Sequence, residues 1–158
     1  MRETGGSIEK SWCLRSRLDD LARVQEDIQA FCATHHVPAD VLHDARIALD
    51  EVLSNIIRHG YKHGDCEISV QARVSAEKLL LEVRDRAEPF DPLQSPEPDL
   101  QVDFGERPGG GVGIYIVRRL MDCVEYSYEC GENRLRLERW IKTPAGQGDA
   151  RSRGEHKT

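Results

Sequence analysis

A chain of 158 residues with 22 Lys and Arg against 28 Asp and Glu carries a formal net charge of −6, so broad binding to a nucleic-acid backbone, which needs a clustered basic face, is not expected. With 39% hydrophobic and 32% charged residues it suits one compact domain that buries a core without staples. No run approaches the ~20 apolar residues of a membrane span, and the opening MRETGGSIEK has neither the basic region nor the apolar core of a secretion signal, so a cytoplasmic protein with no direct nucleic acid and no membrane partner is expected.

In chain order, residues 1–7 are expected to be disordered. The segment SIEKSWCLRS puts Ile8, Trp12 and Leu14 on one parity, as in a half-buried strand. From Leu18, the residues Leu21, Val24, Ile28, Phe31 and Cys32 recur at helical spacing to about Thr34. Pro38 is placed to open a second helix, from about 38 to 61, whose core stripe is Val41, Ala45, Ala48, Val52 and Ile56, widened by Leu49 and Leu53. CEISVQARVS and KLLLEVRD alternate as two strands of a hairpin. From 86 to 111 periodicity gives way to Pro89, Pro92, Pro96, Pro98 and Pro108, a length of irregular chain that marks a lid or binding loop. VGIYIVRRLMD reads as a short helix with Val112, Tyr115, Ile116, Leu120 and Met121 available for burial, and CVEYSYEC and RLRLERWI as a hairpin around GEN. The polar tail 143–158 is expected to be disordered. Helices gathered on one face of a mixed, mostly antiparallel sheet give an α+β two-layer sandwich.

Three elements carry candidate chemistry. Glu51 and Asn55 lie one helical turn apart, ~6 Å along the axis, beside the apolar stripe and so on a cleft wall or, more blandly, a solvated edge. Asp85 ends an apolar strand, where a carboxylate can accept from the exocyclic amine of adenine or simply cap a turn. Gly109, Gly110, Gly111 and Gly113 stand before and within a helix start, where free backbone N–H groups and the helix dipole favour a phosphate and where a glycine hinge is the plainer alternative. No Lys-Ser or Lys-Thr follows at P-loop spacing, and no βαβ unit surrounds these glycines.

In order, the helix ExxxN, strand-end Asp, long lid and glycine-opened helix resemble the GHKL ATPase superfamily with its Bergerat fold. LDEVLSNIIRHGY, VRDRAEPFDPL, GGGVGIYIVRRLMDCVEYS and GENRLRLER are similar to its anti-sigma factor serine/threonine kinases, over about residues 8–142. The resemblance implies ATP and Mg²⁺ as cofactors, with Asn55 holding the metal, Glu51 acting as the catalytic base and Asp85 reading adenine. It further implies that Ala87, Gly109, Gly110, Gly111, Val112 and Gly113 border the nucleotide, with Arg107 in reach of the γ-phosphate. The superfamily usually has DxG where this chain has Ala87, and alanine does not take positive φ cheaply. The implied partners are a sigma factor and a small anti-sigma factor antagonist phosphorylated on Ser or Thr, with a homodimer formed through the first strand and helix. The alternative implied is a non-catalytic ATP-binding switch that regulates a protein partner without phosphotransfer.

Other features read as structural. The cysteines Cys13, Cys32, Cys66, Cys123 and Cys130 form no CxxC pair and are expected as reduced thiols. His59 and His63 mark a helix end rather than a metal pair, His35 and His36 another, Trp12 and Trp140 pack on strands, and RLRLER is a solvated strand face.

Overall fold

Six strands and three helices form over the residues that the computed structural model describes, 2–4, 6–60, 66–94, 96 and 112–141. They are β1 (Arg2–Thr4), β2 (Ser7–Arg15), α1 (Leu18–Thr34), α2 (Ala39–Asn55), β3 (Glu67–Val74), β4 (Lys78–Asp85), α3 (Val112–Leu120), β5 (Cys123–Glu129) and β6 (Glu132–Trp140), with a π-helical turn at Ile56–Gly60 and a 3₁₀ turn at Pro92–Gln94. The sheet order is β1-β2-β3-β4-β6-β5, and every pairing is antiparallel. This is the α+β sandwich expected, with no parallel pair among the described residues where a mixed sheet would allow one.

Alternation sorts the sheet into two unlike faces. Trp12, Leu14, Ile68, Val70, Leu81, Val83, Leu135 and Leu137 point to the helices and are buried. There they meet the predicted stripes of α1 (Leu21, Val24, Ile28, Phe31, Cys32) and α2 (Val41, Ala45, Ala48, Leu49, Val52, Leu53). Each Leu, Ile or Val among them contributes ~1.5–3 kcal/mol of burial. Trp12 meets Phe31 edge-on with ring centroids 5.8 Å apart.

The opposite face is charged, and the RLRLER segment is not simply solvated there. Glu82, 5% exposed, accepts from Arg84 Nε at 2.7 Å and Arg134 Nε at 2.8 Å. Burial alone would raise the Glu82 carboxyl, but the hydrogen bonds and charges of Arg134 and Arg84 outweigh it and hold the group below the ordinary carboxylate range. A depressed folded-state pKa adds stability above the unfolded value that is lost as pH falls through the folded one. Thermal unfolding of Glu82→Gln should therefore differ most from wild type near neutral pH and converge on it as pH drops below ~4.

Four readings need correction. Residues 2–4 are a strand rather than part of a disordered terminus: Thr4 pairs with Ser7 across a turn in which Gly6 takes φ 83°, and the added strand covers the outer edge of β2. The second helix keeps α geometry only to Asn55 and then widens into the π turn. The fully buried residue of α3 is Val117, followed by Met121 at 4% exposure, because the inward row runs Gly113, Val117, Met121 at i, i+4, i+8 rather than through Tyr115 and Ile116. The last hairpin turns on Cys130 and Gly131, whose φ of 53° and 78° are the pair of positive values that a type I′ turn takes to match the twist of its strands.

Arg139 fastens the helical layer to the sheet. Its guanidinium reaches Asp44 of α2 at 3.0 Å and Asp122, ahead of β5, at 2.8 Å. Cys32 is wholly buried and its thiol is pushed up to about 11 by burial, as suits a core filler, and all five cysteines are free. His36 closes the end of α1 with φ 57°, and the His35 ring lies 4.8 Å from Phe31. No helix among the described residues is long and apolar enough to cross a membrane. The tail 143–158 lies outside the described residues, as do most of 86–111 and His63.

Candidate functional site

The amphipathic stripe of α2 turns Leu49, Val52 and Leu53 into the core, which leaves Glu51 and Asn55 at its half-buried margin. Neither the Glu51 carboxylate nor the Asn55 amide has a hydrogen-bonding or ionic partner among the described residues. Facing them is the start of α3. A Cβ added at Gly113 would come 2.6 Å from Glu51 Oε2 and 3.5 Å from its Cδ, so only glycine lets the helix start approach this carboxylate without displacing it. Val112, also expected at the site, is the first residue of α3 and is half-buried. Arg107, Gly109, Gly110 and Gly111 lie outside the described residues.

Asp85 closes β4 on the helix-facing parity, paired with Ile68 on one side and Asn133 on the other, and is 7% exposed. Its Oδ1 accepts the Ala87 N–H at 2.9 Å and Asn133 Nδ2 at 3.0 Å. The first bond is an Asx turn, so the turn-capping reading of Asp85 holds for one oxygen. Oδ2 has no partner among the described residues. Ala87 is buried and is not among the residues with positive φ, so alanine in place of the usual glycine carries no backbone strain.

Asn133 escaped the sequence reading. It accepts from the Tyr126 hydroxyl at 2.7 Å and the Phe90 N–H at 3.2 Å, and donates to Asp85 and to the carbonyls of Ala87 and Glu88. Burial, with the Asp91 and Asp85 charges, pushes the Tyr126 hydroxyl up against the opposing Phe90 backbone bond, which keeps the proton that it donates. A signal was present: in β6, Leu137 and Leu135 face inward, and the next residue of that row is the polar Asn133.

A concavity of about 520 Å³ is lined by Arg15, Glu67, Ser69, Arg84, Asp85 and Arg86, so it shares Asp85 with the site but includes neither Glu51 nor Asn55. Among the described residues no three His, Cys, Asp or Glu side chains cluster to hold a metal.

The model of the histidine kinase-like ATPase domain matches residues 14–139. The chain belongs to that family. Within it, this ATPase-type domain is 31% identical over 98 residues to the serine-protein kinase RsbW of Listeria monocytogenes, covering 58% of this chain and 62% of the kinase. It is 28% identical over 92 residues to the serine/threonine-protein kinase BtrW of Bordetella bronchiseptica, covering 58% and 65%. Against the anti-sigma F factor of a Thermoanaerobacter species it is 24% identical over 135 residues, covering 85% and 93%. It thus spans less than two thirds of the two kinases' own lengths. A crystal structure of the RsbU and RsbW domains of a Mycobacterium tuberculosis protein superposes with a TM-score of 0.60 at 16% identity, covering 84% of this chain and 32% of that one, and shares the fold.

Proposed function

We propose that this chain is an ATP-dependent serine/threonine protein kinase and anti-sigma regulatory factor. It binds a sigma factor in the cytoplasm and phosphorylates a Ser or Thr of an anti-sigma factor antagonist. The observation that carries the reading is the approach of Gly113 to Glu51, where an added Cβ would lie 2.6 Å from Oε2. That approach joins the glycine-opened helix start, a phosphate-binding device, to a carboxylate without an ionic partner among the described residues. The names of the related kinases and of the anti-sigma F factor support the substrate and partner classes.

In this reading the ATP-binding domain runs over 8–142, with its lid at 86–111, and the chain forms a homodimer. The Asp85 carboxylate accepts from the 6-amino group of adenine. Gly109, Gly110, Gly111, Val112 and Gly113 offer backbone N–H groups to the phosphates, with Arg107 at the γ-phosphate. Asn55 holds Mg²⁺, a hard cation that takes few protein ligands and neutralises charge developing on the phosphates. Glu51 orients the attacking hydroxyl and accepts its proton as the hydroxyl oxygen bonds to the γ-phosphorus and the bond to the ADP oxygen breaks.

The test is transfer of label from γ-labelled ATP to a purified antagonist domain, with the modified residue mapped by mass spectrometry. Label on a Ser or Thr, lost on chelation of Mg²⁺, is the expected result. Asn55→Ala should lower transfer at least ~10²-fold, since a catalytic metal supplies several kcal/mol, and part of the loss should return at raised Mg²⁺. Tight binding of Mg-ATP without transfer to any co-purified partner would instead make the chain a nucleotide-dependent switch.

A further inference from the structure

Asn133 is 7% exposed, and its partners fix which end of the amide points where. A backbone N–H only donates and a backbone carbonyl only accepts. The Phe90 N–H at 3.2 Å therefore identifies Oδ1, and the carbonyls of Ala87 and Glu88, each at 3.2 Å, identify Nδ2. That orientation gives the Tyr126 hydroxyl an acceptor at 2.7 Å and directs Nδ2 at Asp85 Oδ1, 3.0 Å away. The Asp85 oxygen so engaged already takes the Ala87 N–H. With two donors on one oxygen the plane of the carboxylate is set, and Oδ2 is left as the acceptor for a ligand. The same side chain grips the backbone of Ala87, Glu88 and Phe90, where the chain leaves β4 for the segment that returns at α3.

We propose that Asn133 is a positioning residue for base recognition. It presents Asp85 Oδ2 to the exocyclic amine of a 6-aminopurine and anchors residues 87–90 to the sheet, so that base selectivity and the attachment of the following segment depend on one amide. The proposal rests on Asp85 as the purine-contacting group, and it separates two functions of Asn133. The donor end acts on selectivity through Asp85. The acceptor end acts on the anchor through Phe90.

The experiment compares the affinities of ATP and of purine riboside triphosphate, which lacks the 6-amino group, at pH 8. It uses the wild-type chain, Asn133→Ala and Asn133→Asp, with amide hydrogen exchange at Phe90 followed in the nucleotide-free protein. Wild type should favour ATP by ~10-fold or more, the worth of a hydrogen bond to a charged acceptor. In Asn133→Ala that preference should fall towards one and Phe90 exchange should quicken by ~10-fold or more as the anchor opens locally. Asn133→Asp keeps an acceptor for Phe90 and Tyr126 but sets a second carboxylate against Asp85, so Phe90 protection should persist while the preference is lost. Retention of the wild-type preference in both variants, or an equal loss of both triphosphates, overturns the proposal. A wild type that does not distinguish the two triphosphates removes Asp85 as the purine contact, and the proposal with it. If Asn133→Ala does not fold, Asn133→Asp alone decides the selectivity arm: loss of the ATP preference with Phe90 protection kept supports the proposal, and a retained preference overturns it.

Discussion

Glu51→Gln is expected to bind Mg-ATP about as well as wild type and to transfer phosphate ~10²–10⁴-fold more slowly, the range for removal of a positioned general base. Glutamine has nearly the shape of glutamate, so the half-buried margin of α2 and the close approach of Gly113 are preserved. What is removed is the capacity to take a proton from the attacking hydroxyl, together with one negative charge beside the phosphates. Loss of that charge works in favour of nucleotide binding, so affinity and turnover should move apart. Calorimetry on the variant, set beside single-turnover transfer from labelled ATP, separates the two. Normal transfer by Glu51→Gln would place the base elsewhere.

Asp85→Asn is the sharper test of base recognition. Both hydrogen bonds to Oδ1, from Ala87 and Asn133, come from donors, so the asparagine oxygen must take that place and its NH₂ must take the place of Oδ2. The fold then keeps its Asx turn and its tie to β6, and the melting temperature should change little. A 6-aminopurine, however, meets a donor where it needs an acceptor. The lost charged hydrogen bond, worth ~1.5–3 kcal/mol, and the unpaired donor left behind together predict ATP affinity ~10²-fold weaker. Inosine triphosphate, whose 6-oxo group is an acceptor, should lose far less and can overtake ATP. Unchanged ATP affinity would exclude Asp85 from the purine contact.

Much of this architecture is legible in the sequence, because alternation in β2, β3, β4 and β6 and the 3.6-residue stripes of α1 and α2 are long enough to be unambiguous. Short α3 is not. Nine residues rich in apolar side chains fit more than one inward row, and Val117 is chosen by where Gly113 can pack rather than by periodicity. The three-residue β1 carries no pattern of its own and exists only because β2 offers an edge. Within the candidate site, Glu51, Asn55 and Asp85 stand out through motif order. Asn133 does not, because its importance lies in which strands are neighbours: β4 and β6 are adjacent in the sheet with Asp85 and Asn133 48 residues apart in sequence. Glu82 is hidden for a similar reason. In sequence it is one more charge on an alternating strand, and only the register that brings Arg134 from β6 beside it shows it to be buried.

The β4–β6 ladder, running from Lys78↔Trp140 to Asp85↔Asn133, also has a bearing on how the chain can vary. Everything between Asp85 and Asn133 is enclosed by a strand pairing that closes on its own hydrogen bonds. The register of the central strands thus depends on the pairing itself rather than on the length of chain that connects its ends, since loop closure costs only ~0.6 kcal/mol more for each doubling. The framework that holds Asp85 beside Asn133 is therefore set by the two strands themselves.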